Sequence, residues 1–206
     1  MPAQIPTGSS AATVVFMQQA LFGVAASNAV YSAALAEVNS AGASAYALSL
    51  GNNFASTTDA ALASSVLTNL GVTATTIPAA SYTVLLDALT QAFAANPTAR
   101  GQVVLNVSKI LATLESDATF GAAATAFNNA TVSNLTYSTN TANTSNQTVN
   151  PATQSTVGQT FTLTVGADNF TGTAGNDTFT AADTTATTWT VGDAVDGGAG
   201  TDTLNI

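Results

Sequence analysis

Residues 197–205 read Gly197-Gly198-Ala199-Gly200-Thr201-Asp202-Thr203-Leu204-Asn205. The stretch fits the nine-residue calcium-binding template G-G-x-G-x-D-x-U-x at every specified position, with Leu204 as the apolar residue. Glycines at the first, second and fourth places permit a tight turn whose backbone carbonyls point inward. Asp202 adds a carboxylate, which completes the all-oxygen donor type that calcium prefers. Leu204 then opens a short strand whose side chain enters a core. Glycine-aspartate turns also occur in ordinary hairpins, so one such unit leaves that simpler reading open.

A second unit lies upstream, where residues 172–180 read GTAGNDTFT. Gly172, Gly175 and Asp177 keep their places, Thr173 replaces the second glycine, and Phe179 takes the apolar position. Asp168 and Phe170 echo the end of a third, more degraded unit. Gly172 and Gly197 are 25 positions apart, which is not a multiple of nine. The spacing therefore predicts an insertion near residues 181–189 that bulges between turns, and it does not encode a regular roll with stacked ion sites. Period-two alternation at Phe161, Leu163 and Val165 predicts a half-buried strand, with similar strands at 188–191 and 203–206. Six of the eleven acidic residues (Asp168, Asp177, Asp183, Asp193, Asp196 and Asp202) follow position 160, where no Lys or Arg occurs. Such an acidic end calls for a positive counterpart. Asp193 and Asp196 are either further calcium ligands or solvated turn residues.

Toward the amino end the period changes. Tyr82, Leu85, Leu86, Leu89 and Phe93 form one helical stripe, with Ser81 placed to cap it. Val103, Val104, Val107, Ile110, Leu111 and Leu114 repeat the pattern after Pro97, which suits a first turn. Further helices are expected over 12–22, 28–39, 44–54, 58–70 and 119–129, giving a bundle of six or seven. Much of the 46% hydrophobic content is alanine and only 7% is aromatic, so thin, Ala-rich packing is expected. Residues 137–157 are rich in Ser, Thr and Asn, carry no charge and contain Pro151. They read as a linker, or alternatively as an extended edge segment. The predicted class is α+β, with a helical domain over 1–136, a linker over 137–158 and the start of a β-rich calcium-binding roll over 159–206.

Composition removes several functions. Arg100 and Lys109 are the only basic residues against a net charge of −9, too few to neutralise a phosphate backbone, so nucleic acid is excluded as a partner. No His or Cys is present, which removes zinc, thiol and imidazole chemistry. Glu115 and Asp117 stand two apart and would diverge on a helix, so they make no acid/base pair, and no enzymatic role is read here. The amino terminus lacks a basic n-region, and Gln18 and Gln19 interrupt the apolar stretch that follows, so it does not read as a cleaved signal. No run approaches the roughly 18 apolar residues that span a bilayer. Charged residues make up 6% of the chain, against roughly a quarter in an average domain. A surface of hydroxyls, amides and alanine suits packing against copies of itself or against sugars, since little ionic desolvation opposes contact. It also suits a mere compositional habit of extracellular bacterial proteins.

The runs NFTGTAGNDTFT (169–180) and TVGDAVDGGAGTDTLNI (190–206) resemble the start of the RTX region in Gram-negative S-layer proteins of the Caulobacter type. The resemblance is specific over 160–206 and looser over 11–135, where it rests on architecture and on phrases such as ALFGVAASNAVYSAAL (20–35). It implies a secreted cell-surface protein that forms a homo-oligomeric lattice. Its helical domain would attach to envelope glycan or lipopolysaccharide, its RTX part would bind Ca2+, and export would use type I secretion with a signal further downstream. Gly197, Gly198, Gly200 and Asp202, and after them Gly172, Gly175 and Asp177, are the residues onto which the ion-binding role carries over. A second reading is a secreted RTX adhesin or effector, with any catalytic domain downstream, in which calcium triggers folding after export. The strand-like end at Ile206 leads to the expectation that the natural protein continues.

Overall fold

Helix starts are dictated locally by hydroxyl side chains. In the computed structural model, which describes residues 4–149, 160–171, 176–181, 187–197 and 201–206, Ser9 accepts the Ala12 amide at 3.0 Å and opens α1 (Ser10–Phe22). Ser27 and Thr58 do the same for α2 (Asn28–Ala41) and α4 (Asp59–Asn69), each satisfying an amide that the helix itself leaves unpaired. Between them runs α3 (Ala43–Asn52). Gly23 closes α1 in the left-handed region at φ 62°, and its missing Cβ leaves room for the Asn69 side chain, whose Oδ1 would lie 2.8 Å away.

The expected helices form, with shifted bounds. Pro78 precedes α5 (Ala79–Ala95), so Ser81 lies inside the helix rather than capping it. Pro97 stays in the connection before α6 (Arg100–Ala112). The last helix, α7 (Gly121–Thr139), runs well beyond the expected end at 129, because its inner face is closed by buried Asn128, Asn134 and Ser138 as well as by Phe127.

α1 is the central helix, with residues 12–21 all buried; a helix apolar nearly all round belongs inside a bundle. Its Phe16 ring meets Phe127 of α7 at 5.2 Å between centroids. Many alanines line the core as expected, but Phe16, Tyr46, Phe93 and Phe127 are also fully buried, so the centre is deeper than the composition suggests. α3 and α6 cross at Gly51 and Gly101, where a Cβ on Gly101 would run into the Ala47 carbonyl.

The described part of the expected linker belongs to this helical unit. Gln147–Thr148 (β2) pairs antiparallel with Val24–Ala25 (β1). Around that pair, Ser27 donates its amide to Asn146 Oδ1 (2.8 Å), Asn28 donates to the Asn143 carbonyl (2.9 Å), and Val149 donates to the Gly23 carbonyl (2.7 Å). Amide side chains and main chain make these contacts, which a count of apolar residues misses. Residues 150–158 lie outside the described residues.

The chain divides into this helical unit and a second, β-rich unit containing the described residues from 160 on, so the class is α+β. In the second unit Thr160–Thr162 (β3), Thr178–Thr180 (β5) and Thr203–Asn205 (β7) form a parallel sheet in the order β3-β5-β7. Asn169–Thr171 (β4) and Ala194–Asp196 (β6) pair parallel in another. The chain thus alternates between two sheets, with Phe161, Phe179 and Leu204 in register in one and Phe170 and Val195 in the other. Phe161 stacks on Phe179 (4.9 Å between centroids, 9° between planes) and meets Phe170 at 5.4 Å, so aromatic rings join the two sheets.

One strand expectation holds only in part and another fails. Residues 163–168 leave β3 as a turn, with Val165 66% exposed, and 188–191 form no strand. Each of these segments carries a Thr-Val-Gly sequence whose threonine amide is bound by an aspartate three or four residues on, and that bond closes a turn.

Candidate metal centre

Because the apolar positions align across the sheets, the aspartates that follow them align at the strand ends. Asp168, Asp177 and Asp202 each stand seven residues after Phe161, Phe170 and Val195 respectively. Asp193 ends the interval that carries the extra residues between β5 and β6. Two columns result, one holding Asp168 and Asp193, the other Asp177 and Asp202.

The second column follows the glycine-rich sequences at 172–177 and 197–202. Asp177 donates its amide to Asp202 Oδ1 at 2.8 Å, and Thr201 donates to Asn176 Oδ1 at 2.8 Å, so each turn is tied to the next by a carboxylate or amide side chain. Thr203 returns a main-chain bond to the Asp177 carbonyl. Asp177 is buried, at 1% exposure. A Cβ on Gly197 would lie within 2.4 Å of Asp202 Oδ2 and 2.9 Å of its Cβ, so only glycine lets the Asp202 side chain fold back over its own turn. Gly172, Gly175, Gly198 and Gly200 lie outside the described residues.

The first column is closed by the protein's own donors. Asp168 donates its amide to Asp193 Oδ1 (2.8 Å), and Thr190 donates to Asp193 Oδ2 (2.6 Å). One turn earlier, Thr164 donates to Asp168 Oδ2 (2.6 Å). The amides of Thr190 and then Asp168 hold the Asp193 carboxyl below the usual carboxylate range, since hydrogen bonds to the charged form favour it. These turns have one glycine each where the other column has two or three. Gly192 sits at φ 112°.

The residues named from the sequence thus separate. Asp177 and Asp202 come together on neighbouring turns. Asp193 belongs to the other column. Asp196 is the exposed last residue of β6, directly before Gly197, next to Val195, which packs against the small core. The Asp168–Asp193 column was missed as a pair. Its signal is the repeated Thr-Val-Gly-(Ala)-Asp at 164–168 and 190–193, which contains no paired glycines.

An all-oxygen donor set with a glycine-dependent cradle fits calcium. Among the described residues no group of three or more acidic side chains converges, so an ion held by Asp177 and Asp202 would take its remaining ligands from backbone carbonyls or water, as glycine-rich turns allow.

In the helical unit Asp59, Arg100, Glu115 and Asp117 have structural partners. Arg100 pairs with Asp59 at 2.6 Å and donates to the Phe54 and Thr57 carbonyls, fastening the α3–α4 connection onto α6. Asn128 donates to Glu115 Oε1 (2.7 Å), while Asp117 accepts the Thr119 and Phe120 amides just before α7. In the β-rich unit Trp189 is 39% exposed. No helix among the described residues is long and apolar enough to cross a membrane. No protein-family model, no curated protein and no solved structure matches this chain.

Proposed function

We propose that this chain is a structural, non-catalytic surface-coat protein of the S-layer kind, working outside the cell. In this reading its β-rich unit is the beginning of an RTX-type roll that binds Ca2+ at the glycine-rich turns 172–177 and 197–202. Asp177 and Asp202 supply carboxylates there, and the glycines allow backbone carbonyls to turn inward. Bound calcium supplies the positive charge that lets acidic turns stack. The helical unit attaches to envelope glycan or lipopolysaccharide, and copies assemble through surfaces nearly free of charge.

The observation that supports this reading is the in-register parallel stacking of β5 on β7, which places Asp177 and Asp202 on adjacent turns with Asp202 Oδ1 on the Asp177 amide. Leu163, Phe179 and Ala181 are the only fully buried apolar residues described in the β-rich unit, and so small a core leaves stability for an ion to add.

Calorimetry of the full chain tests the reading. Millimolar calcium should raise the melting transition of the β-rich unit and leave that of the helical unit in place. Equal shifts in both units, or none in either, would refute it. Electron microscopy of cells then separates coat from adhesin: an ordered layer that chelation dissolves supports the coat, whereas calcium-dependent attachment to other cells without a lattice supports the secreted adhesin.

A further inference from the structure

α5 packs chiefly along α4 and touches α6 lightly, and the gap holds a cavity of about 230 Å3. Leu67 of α4 and Leu70 just after it, Leu85 of α5, and Val107, Ile110 and Leu111 of α6 make most of its wall. All nine lining residues are Leu, Ile, Val or Phe. Leu67 and Leu70 are fully buried at its floor, while Ile110 is 60% exposed at its mouth. Water gains no hydrogen bond inside such a wall, and apolar cavities of about 150 Å3 stay dry and take up benzene. Leu85 and Phe120 also border a shallower depression that carries the hydroxyls of Ser81 and Thr119.

The charges near the mouth decide the head group. Arg100 is engaged by Asp59 and two carbonyls. Lys109, the other cation, is two residues from Val107 and one from Ile110, which turns it to the far side of α6 from the lining residues. Asp117 accepts the amides of Thr119 and Phe120 beside the depression. An anionic head would therefore meet a carboxylate and no cation.

We propose that this cavity binds a single aliphatic chain attached to an uncharged, hydroxyl- or ester-type head group, the chain lying between α4, α5 and α6 and the head over Ser81 and Thr119. Scaled from the six carbons of benzene in about 150 Å3, the cavity takes a chain of roughly eight or nine carbons. This inference is independent of calcium binding.

The test uses the full chain with 1-octanol, 1-hexanol and octanoate as probes, followed by methyl carbon–proton spectra and thermal unfolding. 1-Octanol should shift the Leu67, Val107 and Leu111 methyls saturably and raise the melting temperature of the helical unit. 1-Hexanol should bind about tenfold more weakly because two methylenes are missing. Octanoate should be weaker again, by about tenfold, because its carboxylate faces Asp117. Val107→Phe fills the cavity and should abolish the methyl shifts. Ile110→Trp, at an exposed position that leaves the fold intact, should block the mouth and do the same. Unshifted methyls, octanoate binding as tightly as octanol, or undiminished binding in Ile110→Trp would each overturn the proposal. So would a dimer in sedimentation that Ile110→Trp dissociates and octanol does not, since a second copy would then cover this face.

Discussion

Replacing Gly197 by alanine tests the candidate centre at its tightest point. The new Cβ would stand 2.4 Å from Asp202 Oδ2, 2.8 Å from Cγ and 2.9 Å from Cβ. Because even the Asp202 Cβ is too close, rotating the carboxylate does not relieve the clash, and the whole side chain must move. That motion breaks the 2.8 Å bond from the Asp177 amide to Oδ1, a charge-assisted bond worth about 1.5–3 kcal/mol. Full burial of Leu163 and Phe179 contributes about 1.5–3 kcal/mol each, so losing that bond removes a large fraction of what the small core supplies. Calcium at a hundred times its dissociation constant returns about 2.7 kcal/mol, comparable to the bond lost, provided the ion still binds. The assay is amide hydrogen exchange on the full chain with and without calcium. Gly197→Ala should speed exchange at Asp177 by about tenfold or more, as loss of at least 1.4 kcal/mol requires, and calcium should protect it less than it protects the wild type. Gly166→Ala serves as the control, since its Cβ would meet nothing nearer than 3.7 Å. Unchanged exchange at Asp177 in Gly197→Ala, or equal damage from Gly166→Ala, would refute the reasoning.

Two further substitutions probe the remaining framework. Asp193 has its carboxyl pKa depressed by the Thr190 and Asp168 amides. Its contribution is therefore complete above the unfolded value of about 3.9 and is lost as pH falls through the lower folded value. With chelator present, Asp193→Asn should remove that acid-dependent component, seen as flattening of the Thr190 and Asp168 amide shifts below about pH 4; an unaltered titration would show that another carboxylate carries it. In the helical unit, Gln19 is fully buried, donates to the Asn69 and Val149 carbonyls at 2.7 and 3.2 Å, and accepts from Asn134 at 2.7 Å. Gln19→Leu strands those three groups and should cost about 2–5 kcal/mol in urea unfolding without altering the calcium response; a cost under about 0.5 kcal/mol would mean that water replaces the network.

The helices were legible where apolar side chains face the core and illegible where amides do. The α5 stripe from Tyr82 to Phe93 is visible because Leu89 and Phe93 are what it buries. The second half of α7 leaves no such trace. Asn134 is buried because it donates to Gln19, and Ser138 because it donates to the Ala26 carbonyl at 2.7 Å, so a scale that scores both as polar ends the helix early. The same blindness turned residues 143–149 into a linker, although Asn143 and Asn146 dock them through the main chain of 27 and 28. Of the centre, Asp202 and Asp177 could be read from glycine spacing. The Asp168–Asp193 column could not, since its turns are closed by threonine amides and contain too little glycine to match a template.

The interval of 25 residues between Gly172 and Gly197 argued against stacked turns, yet β5 and β7 pair in register across it. Parallel pairing constrains only the residues that exchange hydrogen bonds, and a surface insertion adds little closure entropy as it lengthens. The seven extra residues therefore fall between β5 and β6 without displacing Phe179 from Leu204. Phe161 and Phe179 are ring-stacked at 4.9 Å, whereas Leu204, opposite Phe179, is 41% exposed. Register there depends instead on the Asp202 carboxylate binding the Asp177 amide and on the Asn176 side chain binding the Thr201 amide. An acidic turn aligned by its own carboxylates gains from a cation that screens them, so the β5–β7 register is where the proposed calcium should act most strongly.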